Sequence, residues 1–139
     1  MSKTTFSGPV ISTNGFVAGH QVTASNAINA TATATAAEVA TGYITSTSAS
    51  ATAITLPTGT LLGAALNAVQ GTTFDLLIDN TAGASSVSIV AAVNGILSTA
   101  GVDSSASFGD LTVAAGVTGL ARYTIMFSSA TAYVFTRTA

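Results

Sequence analysis

Only eight of the 139 residues are charged, three cations and five anions, whereas about a quarter of a typical soluble domain is charged. With three scattered cations and a net charge of −2, the chain lacks the clustered basic face that nucleic-acid binding requires. The absence of cysteine excludes disulfides, thiolate metal sites and cysteine nucleophiles.

Alanine (27 residues) and threonine (24 residues) take the place of the missing charges. A free monomer with so few charges is poorly protected against association, so we expect copies of the chain or partners to cover much of its surface. The chain has no apolar run near the roughly 18 residues of a membrane helix, and its start lacks the apolar segment of a signal peptide.

Residues 1–22 are predicted to form an extended arm. Turn and extended signals at Ser7-Gly8-Pro9 and Asn14-Gly15 separate its apolar side chains. The alternative is a frayed terminus, the usual state of chain ends. The residues predicted to bind a partner are Phe6, Pro9, Val10, Ile11 and Phe16.

Residues 23–40 are a low-complexity stretch of alanine and threonine. The alternation of Thr31, Thr33 and Thr35 with alanine suits a strand, whereas residues 34–40 are also compatible with a helix. We favour a strand or an extended linker. The sequence therefore divides into an arm and linker over 1–40 and one domain over 41–139.

Two short β segments and one helix are predicted at the start of the domain. Tyr43–Thr45 and Ala53–Leu56 read as strands on either side of a serine-rich turn. Thr60 is a plausible N-cap for a helix over Leu61–Val69, closed near Gly71. Its apolar residues at helical spacing are Leu62, Ala65, Leu66 and Val69.

Residues 71–93 are predicted to form a central hairpin. In its first strand Phe74, Leu76 and Ile78 share one face, and Asp75, Leu77 and Asp79 share the other. Residues 80–85 supply turn residues, and the returning strand alternates through Val87, Ile89 and Ala91.

Further strands are predicted in the last third of the chain. Asn94-Gly95 before Ile96-Leu97 is a strong hairpin signal, and residues 111–113 form a short strand before a turn of small residues. A closing hairpin turns at residues 128–130. In its first strand Ala121, Tyr123, Ile125 and Phe127 alternate with Arg122, Thr124 and Met126, and in its second strand Tyr133 and Phe135 face one side while Val134 and Thr136 face the other.

About eight short strands with turns every ten residues or so predict an all-β domain, a β-sandwich or jelly roll. One short helix accompanies the strands, and the extended arm precedes them. The residues predicted to be buried together are Phe74, Leu76, Ile78, Val87, Ile89, Ile125 and Phe127.

The sequence contains no pattern typical of an enzyme. His20 is the single histidine, and no G-x-S-x-G elbow accompanies it. Asp75 and Asp79 would lie roughly 13 Å apart along a strand, too far for a glycosidase pair. Asp103 and Asp110 flank a serine-rich loop that is either solvated or, together with backbone carbonyls, a calcium site, and we favour the solvated loop. We therefore predict no catalytic residues, no cofactor and no small-molecule substrate.

Several segments resemble small phage virion proteins of the capsid decoration (cement) type. The resemblance covers residues 5–18 and 54–137. It is carried by Phe6-Ser7-Gly8-Pro9-Val10, Ser12-Thr13-Asn14-Gly15-Phe16, Ile54-Thr55-Leu56-Pro57, a helix over Leu61–Val69, Gly71-Thr72-Thr73-Phe74, Ile78-Asp79-Asn80, Val87-Ser88-Ile89 and Tyr133-Val134-Phe135-Thr136-Arg137.

The resemblance implies a β-sandwich that trimerises and binds the outer surface of an icosahedral capsid. Its partners would be the major capsid protein and copies of itself, with no nucleic acid and no membrane, and its location the capsid surface of the virion. The alternative is a subunit or domain of a phage fibre, spike or other appendage.

Overall fold

The computed structural model describes residues 26–92, 95–97 and 111–139, and within these ranges the chain is mostly β-strand in two mixed sheets. The prediction of a mostly-β fold is confirmed. The strands are β1 (Asn26–Ala27), β2 (Ala32–Thr33), β3 (Tyr43–Thr45), β4 (Thr52–Thr55), β5 (Thr73–Asp79), β6 (Val87–Val90), β7 (Gly95–Leu97), β8 (Thr112–Val113), β9 (Leu120–Ser129) and β10 (Ala132–Arg137). The helices are α1 (Ala36–Ala40) and α2 (Gly59–Leu66), and a 3₁₀ turn spans Gly116–Thr118.

From β1 to β9, successive strands alternate between the two sheets, and β10 stays in the first sheet with β9. The first sheet has the order β1-β3-β5-β9-β10-β7, and the second has the order β2-β4-β6-β8. Strands β1, β3 and β5 pair in parallel, as do β2, β4 and β6, so the chain crosses from one sheet to the other and back. The helices α1 and α2 lie on successive return crossings and contact each other.

Residues 26–40, which the sequence places in the linker, contribute β1, β2 and α1. Strand β1 pairs with β3 and β2 with β4, and Ile28, Ala34 and Val39 are buried in the core. Helix α1 has a capping box: the Thr35 side chain accepts from the Glu38 N–H, and the Glu38 carboxylate accepts from the Thr35 N–H. The stretch is therefore packed with the two sheets, and residues 36–40 are helical where we favoured an extended chain.

The predicted central hairpin is wrong, although both of its strands exist. Strand β5 pairs with β3 and β9 in the first sheet, whereas β6 pairs with β4 and β8 in the second. The Asn94-Gly95 signal also fails to mark a hairpin, because β7 pairs in parallel with β10 and not with β6. Asn94 itself lies outside the described residues.

The described chain has two α-helices where the sequence predicted one. Helix α2 begins two residues before its predicted start, because Thr58, and not Thr60, adopts the extended N-cap conformation and accepts from the Leu61 N–H. It ends at Leu66 because Asn67 takes a left-handed conformation with φ 49°. Val69, predicted to be the last residue of the helix, is therefore beyond it and exposed.

Side chains from both sheets and both helices join one hydrophobic core. All seven residues predicted to be buried together lie in it, which confirms the predicted strand phase. Ring centroids are 5.8 Å apart for Phe127 and Tyr133, and 6.2 Å apart for both Tyr123–Phe135 and Tyr133–Phe135. The closing hairpin is also confirmed, with its turn at residues 130–131 in place of 128–130.

Helix α2 lies close to the turn of the closing hairpin. A Cβ atom at Gly63 would overlap the backbone carbonyl oxygen of Ala130, and it would lie 3.3 Å from the ring of Phe127. Glycine is therefore required at this position for the helix to pack where it does.

Tyr133 should make the stability of the protein sensitive to alkaline pH. Burial raises the pKa of Tyr133 to about 12, and its hydroxyl donates to the carbonyl of Pro57 at 2.9 Å. In the unfolded chain a tyrosine ionises near pH 10, so between pH 10 and 12 only the unfolded chain releases this proton. The contribution of Tyr133 to the free energy of unfolding is therefore complete below pH 10. Between pH 10 and pH 12 it declines by about 2–3 kcal/mol.

Urea unfolding at intervals from pH 8 to pH 12, on the wild type and Tyr133→Phe, measures this effect. Because Tyr133→Phe lacks the hydrogen bond to Pro57, its free energy of unfolding at neutral pH should be lower than that of the wild type by about 1 kcal/mol or more. Above pH 10 its free energy of unfolding should decline less steeply. Parallel pH profiles for the two proteins would contradict the assignment to Tyr133.

Candidate interaction surfaces

The residues predicted to bind a partner lie outside the described part of the chain. Phe6, Pro9, Val10, Ile11 and Phe16 all fall within residues 1–25, as does His20. Asp103 and Asp110, the alternative calcium ligands, fall within residues 98–110. Their roles stay predictions from the sequence.

Within residues 26–92 and 111–139, no three histidine or acidic side chains gather where they could hold a metal ion. Asp75 and Asp79 project from the outward side of β5, as the alternation predicted. Asp75 accepts from the Thr124 hydroxyl at 2.7 Å on the neighbouring strand.

Asp79 is held by three hydrogen bonds. One oxygen accepts from the backbone N–H and the hydroxyl of Thr81, at 3.0 and 2.6 Å, and the other accepts from the Tyr43 hydroxyl at 2.6 Å. These hydrogen bonds lower the pKa of Asp79. The largest effect comes from the Thr81 hydroxyl, followed by the Tyr43 hydroxyl and then the Thr81 N–H. The same hydrogen bond raises the pKa of Tyr43. These contacts fix the turn after β5 and leave the carboxylate as a structural acceptor.

The outer face of the first sheet is the most extensive candidate surface. The strand register arranges its outward side chains in four rows across β3, β5, β9 and β10. From one end to the other, these rows are Thr73–Met126–Val134, Asp75–Thr124–Thr136, Tyr43–Leu77–Arg122 and Thr45–Asp79–Leu120.

A shallow, mostly apolar groove of about 270 Å³ lies at one end of this face. Its wall includes Met126 and Val134 together with three threonines, Thr73, Thr124 and Thr136. Met126 is 45% exposed, and at the opposite end of the face Leu120 is 52% exposed. The face therefore offers apolar contact at both ends.

The outer face of the second sheet carries small uncharged side chains. Thr33, Thr55 and Val90 stand in one row, and Ala53, Ser88 and Thr112 in the next. Val90 is the single large apolar side chain among these six residues. These six described residues carry no charge and offer little apolar area.

A second apolar groove lies where α1 and α2 begin. It has a volume of about 420 Å³ and is lined by Thr33, Ala34, Thr35, Ala36, Pro57, Thr58, Leu61 and Ala92. Leu61 is exposed at its rim. None of these described lining residues is charged, so they are suited to apolar contact and not to an ionic ligand.

Asn80 joins the two sheets. Its side-chain amide donates to the carbonyls of Ser85 at 2.9 Å, Val113 at 3.3 Å and Ala114 at 3.0 Å. Its backbone N–H donates to the carbonyl of Gly119 at 2.7 Å. Asn80 thus fixes the crossing from β5 to the second sheet, and its role is structural.

No family model, curated protein or solved structure matches this chain. The candidate surfaces are therefore defined by the geometry of the described residues.

The sequence signalled part of the first-sheet surface and missed the rest. The alternation in β5 and β9 placed Asp75, Leu77 and Asp79 opposite the buried face, and likewise Arg122 and Met126. The contribution of Tyr43 was missed, because it depends on the pairing of β3 with β5.

None of the described helices is long and apolar enough to cross a membrane.

Proposed function

We propose that this chain is a structural virion protein that binds the outer surface of an icosahedral phage capsid and stabilises it. In this proposal the two sheets form a β-sandwich, copies of the chain associate as a homotrimer, and the major capsid protein is the partner. The parallel pairing of β1, β3 and β5 and of β2, β4 and β6 departs from the antiparallel order of a jelly roll.

The observation that carries the proposal is the scarcity of charge on both outer sheet faces. The two rows of the second sheet contain no charged residue, and the four rows of the first contain three. A protein that remains free in solution usually keeps a charged, mixed surface that opposes association. A subunit that works inside an assembly has no such requirement, because neighbouring subunits cover these faces.

The absence of a candidate reaction centre in the described residues also favours a structural role. Their carboxylates serve as a helix cap, as for Glu38, or as hydrogen-bond acceptors within the sheet, as for Asp75 and Asp79. No concentration of cationic side chains lies on either sheet face, so nucleic acid is not a partner in this proposal.

In the proposed attachment, the β domain lies on the outside of the shell and residues 1–22 bind the shell. Phe6, Val10, Ile11 and Phe16 would bury apolar surface in a groove of the major capsid protein. Main-chain hydrogen bonds from strand addition at a sheet edge would orient the segment. Several arms in one oligomer would bind neighbouring capsid subunits and gain avidity.

Copy number per particle tests the proposal. Purified virions are separated by gel electrophoresis, and densitometry compares this chain with the major capsid protein in the same lane as internal standard. We expect hundreds of copies per particle, in a fixed ratio to the capsid subunits. A few dozen copies or fewer would contradict capsid decoration and favour a fibre, spike or other appendage.

A further inference from the structure

We propose that the outer face of the first sheet is a self-association surface, covered by a second copy of this chain. The contact joins copies in pairs by two-fold symmetry, so it is additional to the interfaces of the homotrimer in the proposed function. It does not depend on attachment to a shell, so the two can be tested separately.

The exposed apolar side chains single out this face. Six large apolar side chains are exposed in the described chain, and Met126 and Leu120 belong to the outer face of the first sheet. The partly buried Tyr43, Leu77 and Val134 extend the apolar area between them. The other four, Leu61, Val69, Val90 and Val117, are dispersed over α2 and its C-terminal end, the second sheet and the 3₁₀ turn. No other part of the described surface combines several large apolar side chains on one sheet face.

The charges on this face fit a second copy of the same face. Arg122 faces Leu77 across β5 and β9 and lies one diagonal step from both Asp75 and Asp79. One cation thus stands between two anions. When two such faces meet in opposite orientations, the guanidinium of each copy approaches a carboxylate of the other. A strongly acidic partner would instead meet two like charges, those of Asp75 and Asp79.

The size of the face suits reversible association. Four strands spaced about 4.8 Å apart and four rows about 7 Å apart define, with their side-chain margins, a patch of about 20 by 25 Å. Its projected area of about 500 Å² lies below the roughly 800 Å² per partner of a typical stable interface. We therefore expect an equilibrium between oligomer and monomer at micromolar concentrations.

The other two candidate surfaces offer less support for a particular occupant. The second sheet exposes mainly alanine, serine and threonine, whose burial contributes little. The groove at the starts of α1 and α2 has no charge that would select a partner. The outer face of the first sheet alone has both apolar area and self-complementary charge.

Sedimentation equilibrium of the full chain over micromolar concentrations tests the surface with two matched variants. Met126→Arg places a cation in the apolar end row, whereas Val117→Arg makes a comparable change on the 3₁₀ turn, where Val117 is fully exposed. Both positions are solvent-exposed, so both variants should fold, which circular dichroism checks. We expect Met126→Arg to weaken association at least tenfold and Val117→Arg to leave it unchanged.

Charge reversal at Arg122 gives a second readout. Arg122→Glu leaves three acidic side chains on each face, so two copies repel one another at low salt. Because salt screens such repulsion, association of this variant should recover in part at 1 M salt. A salt response no different from that of the wild type would overturn the pairing of opposite charges.

Three results overturn the surface itself. They are a monomeric wild type at all concentrations tested, association of Met126→Arg equal to the wild type, and equal weakening by Val117→Arg. A monomeric wild type is also the result expected if another segment of the chain covers this face. Co-sedimentation with undecorated shells is measured in parallel. A monomeric wild type that still binds shells overturns the surface and the homotrimer but not shell attachment, whereas an oligomeric wild type that does not bind shells overturns shell attachment alone.

Discussion

Replacing Phe127 with alanine is expected to lower the free energy of unfolding by about 3–5 kcal/mol. Phe127 has no exposed surface, and its ring packs against Tyr133 and lies beside Gly63 of α2. The substitution removes apolar burial and leaves a cavity between β9, β10 and the helix. Because α2 packs so closely on the hairpin turn, the surrounding backbone has little room to collapse into that space. A single-domain protein of this size usually has about 5–15 kcal/mol of stability in total, so the loss is a large share of it.

Thermal and urea unfolding of Phe127→Ala, Phe74→Ala and Val117→Ala would measure the effect. Phe74 is buried at the start of β5 with slightly more exposure, so its variant should fall at the lower end of the same range. Val117 is fully exposed, and its variant should stay within about 0.5 kcal/mol of the wild type. A thermal midpoint for Phe127→Ala equal to that of the wild type would show that the core is not organised around the closing hairpin.

The sequence predicted strand phase well because phase depends on neighbours along the chain. Alternation in β5, β9 and β10 was enough to assign inward residues, and Phe74, Ile125 and Phe127 are all buried. The short apolar runs of β3, β4 and β6 were recognised in the same way. These strands are specified locally by residues that must face the core.

Strand partners were harder to predict, because a turn signal does not tell which sheet the next strand joins. Residues 80–85 have hairpin-turn composition, yet they cross between sheets. The side chain of Asn80 bonds to carbonyls of Ser85, Val113 and Ala114, and the last two are more than thirty residues away. An Asn held by such distant groups is indistinguishable, in the sequence, from an Asn that begins a local turn.

The low-complexity stretch concealed a real helix signal. Thr35 and Glu38 have the spacing of a capping box directly before Val39, which is buried. The surrounding alanine and threonine residues gave strand and helix similar support, and we favoured the extended alternative. What decides the outcome is tertiary: α1 contacts α2, and β2 pairs with β4.

The candidate surfaces show the same limit. Alternation identified the outward side of β5 and β9, but the rows across the first sheet depend on register between strands far apart in sequence. The position of Arg122 between two aspartates, for example, requires the antiparallel pairing of β5 with β9. The residues predicted to bind the shell lie outside the described part of the chain and stay predictions.

Deleting residues 2–18 is expected to abolish or severely weaken attachment to the shell while leaving the domain folded and oligomeric. The truncated chain keeps all the described strands and helices, and it keeps the outer face of the first sheet. The deleted segment contains all five residues predicted to bind a partner, the last of which is Phe16. Circular dichroism and sedimentation equilibrium check the fold and the oligomer, and co-sedimentation with undecorated shells measures attachment.

The size of the expected loss follows from two opposing free-energy terms. Burying a large apolar side chain contributes about 1.5–3 kcal/mol, whereas ordering the backbone costs about 1–2 kcal/mol per residue. Four apolar anchors therefore cannot order a segment of this length without main-chain hydrogen bonds from a preformed groove.

A variant with Phe6→Ala and Phe16→Ala in the full chain separates the two contributions. It keeps every main-chain hydrogen bond but loses two apolar anchors, so its binding should fall between that of the wild type and that of the truncation. On an intact shell several arms of one oligomer bind at once, so weaker binding by each arm is multiplied in the overall affinity. The double variant should therefore lose more affinity for intact shells than for isolated capsid subunits. A folded truncation that co-sediments at full strength would show that shell attachment lies on the domain and not on residues 2–18.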